Sequence, residues 1–598
     1  MADSKNSGGK GFWESVRPLG VYLQPHRKWF WIGLLCAFIT NSLSMLSPQV
    51  IKYGINAIEK HQPVRFLLYA AVGSVLLKAV QGLFRFLMRK ILIGISRQIE
   101  YRIRAELFDH LQTLPMAFYQ RSRIGDLLSR STNDLNEVRM LLGPAIMYTF
   151  QTLVTVLFAL PFMMSIDFKL TLMSFLPLVL VALSYNKVGQ TIHKRSMQVQ
   201  KQLSEITARV QENLGGMRVV KSFTREDSEI EHFDRMNREY LSRNMSLVKV
   251  SGLLRPLMSM LAGLSMLVVM GYGGLQIIRG SMSIGDFTAF MLYLGMMYWP
   301  MIAIGFVLNI IQRGRASLDR IMELFSTRSD ITDPAVPSPL VDDMESVRGE
   351  ISIRNLTFTY PGTDRPVLRD ISVDIPAGGT LAVIGPVGCG KSTLIGLIPR
   401  LFNPPPGTMF IDGADVLDWP LKWLRNSIAV VPQDTFLFSI SIQDNLAYGL
   451  EFDPGEEKLR EVVRMAGLEN DVSEFPNQLQ TLLGERGINL SGGQKQRAAI
   501  GRALMLDAPI LLLDDCFSSV DTHTEDQILR SLNDYSKDRT TLVVSHRIST
   551  IKNANQIVVM EDGRITQRGT HSELLAQDGY YASLYEKQLL QEQIERIG

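Results

Sequence analysis

Gly385-Pro386-Val387-Gly388-Cys389-Gly390-Lys391-Ser392-Thr393 follows the apolar run Thr380–Ile384 and precedes the helix-patterned Leu394–Arg400. This is the strand–loop–helix setting that a phosphate-binding loop needs. Glycines at the turning positions let backbone amides point inward at a helix N-terminus, where their partial positive charge receives a phosphate. In that arrangement Lys391 reaches the phosphoryl oxygens and the Ser392 hydroxyl is a ligand for Mg²⁺. The stretch predicts ATP or GTP binding. Around it, β-branched runs alternate with helical segments, which predicts an α/β P-loop NTPase domain with a largely parallel sheet.

Further along, a second metal-site carboxylate is expected at the end of an apolar strand. Ile510-Leu511-Leu512-Leu513-Asp514-Asp515 supplies it: Asp514 is expected to hold Mg²⁺ through water, and Asp515 to orient the attacking water. Leu490-Ser491-Gly492-Gly493-Gln494 opens the helical Lys495–Ala499 with a second Gly-rich turn. It lacks the Gly-Lys-Ser core but can receive a phosphate by the same physics. Toward the N-terminus, Ser326–Gly349 carries Pro334, Pro337 and Pro339 among acidic and small residues, as a linker does. The nucleotide domain is accordingly expected over 350–598, with 326–349 as linker.

The first part of the chain is of a different kind. At 598 residues the chain exceeds what one core supports, and its apolar residues crowd into the first 325 positions. Five runs are free of charge, Trp29–Ile51, Met140–Ile166, Leu170–Asn186, Pro256–Ile278 and Phe287–Gln312; Phe66–Phe84 is interrupted by Lys78 alone. These predict a six-span helical membrane domain over 29–325. His26, Arg27 and Lys28 ahead of the first span place the N-terminal segment 1–28 in the cytoplasm. That segment lacks the apolar core and cleavage site of a secretory signal. Alternation makes Glu59–Arg65, Asp167–Lys169 and Arg279–Asp286 short external turns, and the basic, helix-patterned regions 85–139 and 187–255 project inward as stalks. Their tips, expected to touch the nucleotide domain, are read at 118–126 and 215–221, with Arg121, Arg123, Asp126 and Arg218 as candidate contacts. Lys78 either faces a wet cavity or snorkels to the rim. The methionines of the last two spans suit either a surface for varied apolar shapes or ordinary packing, and Asn309 and Gln312 either a ligand or a neighbouring helix. A net charge of +3 with no aromatic-interleaved basic run argues against nucleic acid. Cys36, Cys389 and Cys516 are too scattered for a disulfide framework or zinc site.

Taken together, the motifs resemble the ATP-binding cassette superfamily, and the order of parts resembles its type I exporters over nearly the whole chain. By that resemblance Tyr360 in Phe358-Thr359-Tyr360-Pro361 is the aromatic that stacks on adenine. Gln433 in Val431-Pro432-Gln433-Asp434 is the loop glutamine that senses Mg²⁺, takes part in catalysis and couples to the membrane domain. Ser491, Gly492, Gly493 and Gln494 belong to the family signature, Asp521 in Ser518-Ser519-Val520-Asp521 to the D-loop, and His546 is the switch histidine at the γ-phosphate. Gly484-Glu485-Arg486-Gly487 is similar to the segment by which exporters feel their intracellular loops. The family closes two cassettes head to tail, so the resemblance implies a second half-transporter as partner.

At one position the sequence departs from the pattern. Asp515 stands where most exporters carry a glutamate; one methylene less draws the carboxylate back by roughly 1.5 Å, and a misplacement of about 1 Å can cost 10²-fold in rate. This predicts slow hydrolysis on this chain's own phosphate loop. By the resemblance, such an aspartate implies a heterodimer with one degenerate site, a slow homodimer being the alternative. Met291-Leu292-Tyr293-Leu294-Gly295-Met296-Met297-Tyr298-Trp299-Pro300 is similar to MdlA-type multidrug half-transporters. The expected function is ATP-driven export of amphipathic or lipid-like compounds across the cell membrane by alternating access. The rival readings are a lipid flippase and a nucleotide-gated regulator.

Overall fold

The computed structural model of the chain describes residues 17–335, 338–342, 344, 346–484 and 487–597. The chain divides into two units, Met1–Gln112 with Ile124–Thr327, and Thr113–Arg123 with Arg328–Gly598.

The first unit is built on long helices: α1 (Arg27–Glu59), α2 (Val64–Thr113), α4 (Ile124–Ile166), α5 (Phe168–Gly215), α7 (Glu226–Ile278) and α8 (Ile284–Ser326). Between them lie two one-turn-and-a-half pieces, α3 (Met116–Arg121) and α6 (Met217–Ser222). The six long helices hold the six apolar runs of the sequence. Among the described residues, Leu19–Glu59, α2, α4, α7 and α8 are long and apolar enough to cross a membrane; in α5 the side chains at 178, 181, 182, 185 and 186 lie outside the described residues. At about 1.5 Å per residue α2 is about 75 Å long, more than twice a hydrocarbon core of about 30 Å. Such helices leave the bilayer as stalks. The connecting turns are short because side chains close them. Asp167 Oδ1 accepts from the Leu170 amide at 2.7 Å, and Ser283 Oγ accepts from the Asp286 amide at 3.0 Å. At that end Lys52 pairs with Asp286 at 2.5 Å, and the Gly285 amide donates to Asn56 Oδ1 at 3.1 Å.

The second unit holds two sheets. Strands β1 (Ile351–Phe358), β2 (Leu368–Ile375), β4 (Met409–Ile411) and β5 (Ala414–Asp415) form an antiparallel sheet in the order β2-β1-β4-β5. The remaining strands are β3 (Thr380–Ile384), β6 (Ile428–Val431), β7 (Ile510–Asp514), β8 (Thr540–Val544), β9 (Gln556–Glu561) and β10 (Arg564–Gly569), in the order β10-β9-β3-β8-β7-β6. All neighbours in this sheet are parallel except β9 and β10. Buried on both faces, the parallel strands read as continuous apolar runs, as for Ile510–Asp514. The antiparallel sheet is an addition to the expected parallel one. Its strands β4 and β5 are three and two residues long, too short to show a period in sequence.

Register does the positioning. Val383 pairs with Val544, and Val544 with Asp514, so β3, β8 and β7 end level with one another. The segments that follow them, and the one after β6, leave the sheet at its carboxyl edge, where ligands of open α/β sheets bind.

Candidate nucleotide-binding site

The loop after β3 is held open by its glycines. Gly390 has φ +101°, and a Cβ there would stand 2.8 Å from Leu368 Cδ2. At Gly385 a Cβ would stand 2.0 Å from the Met560 carbonyl of the neighbouring β9. The loop feeds helix α9 (Lys391–Leu397), whose first amides face the turn. Lys391 Nζ folds over the loop and donates to the Gly385 and Pro386 carbonyls, both at 2.8 Å. Cys389 is buried beneath, its Sγ 3.7 Å from the same ammonium.

A cleft of about 260 Å³ opens over this loop. Among the expected residues, Gly385, Val387, Gly388, Gly390, Lys391, Ser392, Thr393, Gln433, Asp514, Asp515 and His546 line it. Each comes from the carboxyl end of β3, β6, β7 or β8. Asp514 is buried and accepts a hydrogen bond from Ser392, while its Oδ1 has no partner among the described residues. Burial raises its pKa above the usual carboxylate range, with the Ser392 hydrogen bond opposing. An orphaned carboxylate oxygen beside a serine hydroxyl is the donor set a hard cation takes, so the residues fit Mg²⁺.

Asp515 adopts φ +47°, anchored by its amide to the Val544 carbonyl at 2.9 Å. Its Oδ1 lies 2.7 Å from His546 Nδ1. That hydrogen bond raises the histidine's pKa, with desolvation opposing. The bond engages Nδ1, leaving Nε2 as the ring's other polar atom.

The remaining expected residues do not line the cleft. Tyr360 packs edge-on against Phe358 and Phe402, and its hydroxyl is 2.9 Å from Thr393 Oγ1. Ser491 caps helix α10 (Gly492–Leu506) in a reciprocal box: Ser491 Oγ accepts from the Gln494 amide at 3.2 Å, and Gln494 Oε1 from the Ser491 amide at 2.8 Å. Gly493 is required by contact, since a Cβ there would stand 2.9 Å from the Ser519 carbonyl. Asp521 caps α11 (Thr522–Tyr535) by accepting from the Thr524 amide at 2.9 Å. None of Ser491, Gly492, Gly493, Gln494 or Asp521 lines the phosphate-loop cleft. Glu485 and Arg486 lie outside the described residues.

Two residues that sequence reasoning missed tether the segments that carry expected site residues. Buried Gln496 donates to Ser518 Oγ and accepts from the Ser519 amide, each at 2.8 Å, locking α10 to the loop before Asp521. Gln588, on helix α12 (Tyr580–Ile597), donates to the His546 carbonyl at 2.7 Å and accepts from the Ile548 amide at 2.9 Å. Neither has a motif; only their hydrogen bonds in the folded chain identify them.

Comparison with known proteins accords with this architecture. A family model of the ABC transporter transmembrane region matches residues 30–301, and the ABC transporter model matches residues 368–518. The chain is 35% identical to a probable multidrug resistance ABC transporter ATP-binding/permease protein of Bacillus subtilis, covering 96% of this chain and 98% of that one. It is 34% identical to the multidrug resistance-like ATP-binding protein MdlA of Escherichia coli, covering 92% of each. It is 33% identical to an ATP-dependent lipid A-core flippase of Desulfotalea psychrophila, over 96% of this chain and 99% of that one. Among solved structures, a bacterial Atm1-family ABC exporter with ATP bound superposes with a TM-score of 0.75 at 25% identity, covering 95% and 98% of the two chains. With a transmembrane region and an ATP-binding domain fused in one chain, this protein belongs to the ABC transporter family, as a membrane-embedded, ATP-driven exporter of the MdlA-like half-transporter type.

Proposed function

We propose that the chain is one half of a plasma-membrane exporter that moves amphipathic or hydrophobic compounds out of the cytoplasm or inner leaflet by alternating access. Its N-terminus and the ATPase domain, 350–598, lie on the cytoplasmic side. The observation that carries the reading is the cleft that joins Lys391, Gln433, Asp514, Asp515 and His546, with the Ser491–Gln494 turn outside its lining. A complete nucleotide site then needs that turn from a second cassette. Relatives named as multidrug resistance transporters and as a lipid A-core flippase support apolar, amphipathic cargo.

In this reading the loop amides of 385–390 and Lys391 hold the phosphates, and Tyr360 offers its ring to adenine. Ser392, Gln433 and Asp514 would hold Mg²⁺, whose chemistry there would be to neutralise charge on the phosphates. Asp515 orients the attacking water, and His546 presents Nε2 to the γ-phosphate. Because Asp515 is short and already engaged by His546 at 2.7 Å, this chain's site is the slow one of an asymmetric pair. Its intact Ser491–Gln494 turn completes the productive site on the partner. A homodimeric lipid flippase is the second reading, favoured by the flippase relative.

ATP hydrolysis by the chain purified alone in lipid, and then with co-expressed half-transporters, tests the assignment, with Asp515→Glu in each setting. A nearly inert chain that a partner activates, with turnover little changed by Asp515→Glu, is the expected result. Brisk hydrolysis by the chain alone would establish a self-sufficient homodimer instead.

A further inference from the structure

Helix α2 carries basic side chains that have no ion-pair partner among the described residues. Lys78, Arg85 and Arg89 recur at i, i+7 and i+11. At 3.6 residues per turn they fall within about 40° of one another on one stripe of the helix. All three are exposed, and none forms an ion pair among the described residues. Farther along the same helix the arginines are paired: Arg97 and Arg104 to Glu100 at 2.9 and 2.7 Å, and Arg102 to Glu106 at 2.8 Å. The difference lies in the sequence, which has no Asp or Glu between Glu59 and Glu100.

Depth makes Lys78 the decisive member. It lies six residues inside Phe84, the inner end of its apolar run, which is about 9 Å along the helix. Its Nζ donates to the neutral Gln81 Oε1 at 3.2 Å and compensates no charge by doing so. An ammonium facing hydrocarbon at that depth is expensive, so such a residue faces water, a counter-charge or a ligand. This chain's other five apolar runs contain no Asp or Glu, so none of them offers a counter-charge at that depth. Beside the stripe the helix presents Val75, 70% exposed, and Phe86, 61% exposed. A row of cations along an apolar wall is complementary to a molecule with an anionic head and a hydrocarbon body.

We propose that Lys78, Arg85 and Arg89 form the head-group element of the cargo site, and that the cargo is an anionic amphipath bearing phosphate, sulfate or carboxylate. The assignment rests on the exporter reading above and narrows its substrate class. The same chemistry could come from a resident anionic phospholipid, and the test separates the two.

The full-length chain, with its partner half where one is required for assembly, is placed in nanodiscs of phosphatidylcholine alone. Binding of dodecyl phosphate, dodecyltrimethylammonium and dodecyl maltoside is then measured at equilibrium. The expected result is about tenfold tighter binding of the phosphate than of the ammonium, abolished by Lys78→Gln, kept by Lys78→Arg and reversed by Lys78→Glu. Maltoside binding is expected to stay unchanged throughout. Binding with no preference for charge, or a preference that survives both Lys78→Gln and the double change Arg85→Gln with Arg89→Gln, overturns the stripe's role and leaves the exporter reading standing. Failure of all three amphipaths to bind overturns the assignment of an amphipathic cargo to this stripe, whereas failure of the exporter reading would show in the ATP-hydrolysis test above. Phosphatidylglycerol is added in a second arm. If it is retained in a Lys78-dependent manner and excludes dodecyl phosphate, the stripe holds a lipid and the cargo assignment falls.

Discussion

Asp515 and His546 face each other because β7 and β8 run parallel in a register that pairs Asp514 with Val544, so the residues after each strand emerge side by side. Sequence marks both as strand-end residues but not their contact, since register is a property of the sheet. Lys391 and Asp514 are more legible, their motifs being local and their strand context apolar. The contact has a consequence in pH. The Asp515 hydrogen bond holds the His546 proton to higher pH than an ordinary imidazole. The folded pKa therefore exceeds the unfolded value of about 6.5. The pair's contribution to stability is full below that unfolded value and is lost as pH rises through the folded one. With the His546 side chain 55% exposed, solvent screens the effect. Titration of the His546 ring by NMR is expected to give a midpoint above that of free histidine, and Asp515→Asn to return it toward the ordinary value. An unchanged midpoint in Asp515→Asn would assign the shift to some other group.

Among elements, the long helices were legible because apolar runs of membrane length are unambiguous, whereas the antiparallel sheet was not, its strands β4 and β5 being too short to show a period. Helix α12 shows a further limit. Nothing in its sequence announces that Gln588 ties down both the His546 carbonyl and the Ile548 amide. Gln588→Ala would leave those backbone groups to water or unpaired, at about 1 kcal/mol, and would free the segment that presents the imidazole. The phosphate loop, held by its own glycines and by Lys391, is independent of this tether. The slow turnover of the chain's own site, measured on the chain alone, should fall about tenfold, the scale of a slightly displaced catalytic group, while ATP affinity measured by equilibrium binding stays near that of the unaltered protein. An equal loss in both would mean that α12 supports the whole domain rather than the His546 segment.

For the whole molecule, the two stalk tips differ within one chain. Thr113–Arg123, containing α3, belongs to the second unit: Ala117 packs against its apolar cluster, and the Arg121 guanidinium lies against the turn at Gly362, where a Cβ would stand 2.6 Å from Nη2. The tip at α6 belongs to the first unit, has no buried residue, and leaves Val219 60% and Phe223 73% exposed. Sequence pointed to both tips but could not distinguish their fates, because each is a short break in a long helix and only tertiary packing separates them. Exposed valine and phenylalanine on a stalk outside the apolar spans are surface that association covers. The expected seat is the ATPase unit of the other chain, which the need for two cassettes already brings close. A photoreactive phenylalanine analogue at Phe223, with the two chains tagged to different lengths, distinguishes the possibilities. Illumination should yield an adduct with the summed mass of both chains, mapping to the partner's ATPase unit. Val219→Asp should weaken that adduct and reduce partner-stimulated ATP hydrolysis without changing nucleotide affinity. An adduct confined to a single chain would mean that α6 seats on its own ATPase unit, and the pairing would then rest on the nucleotide sites alone.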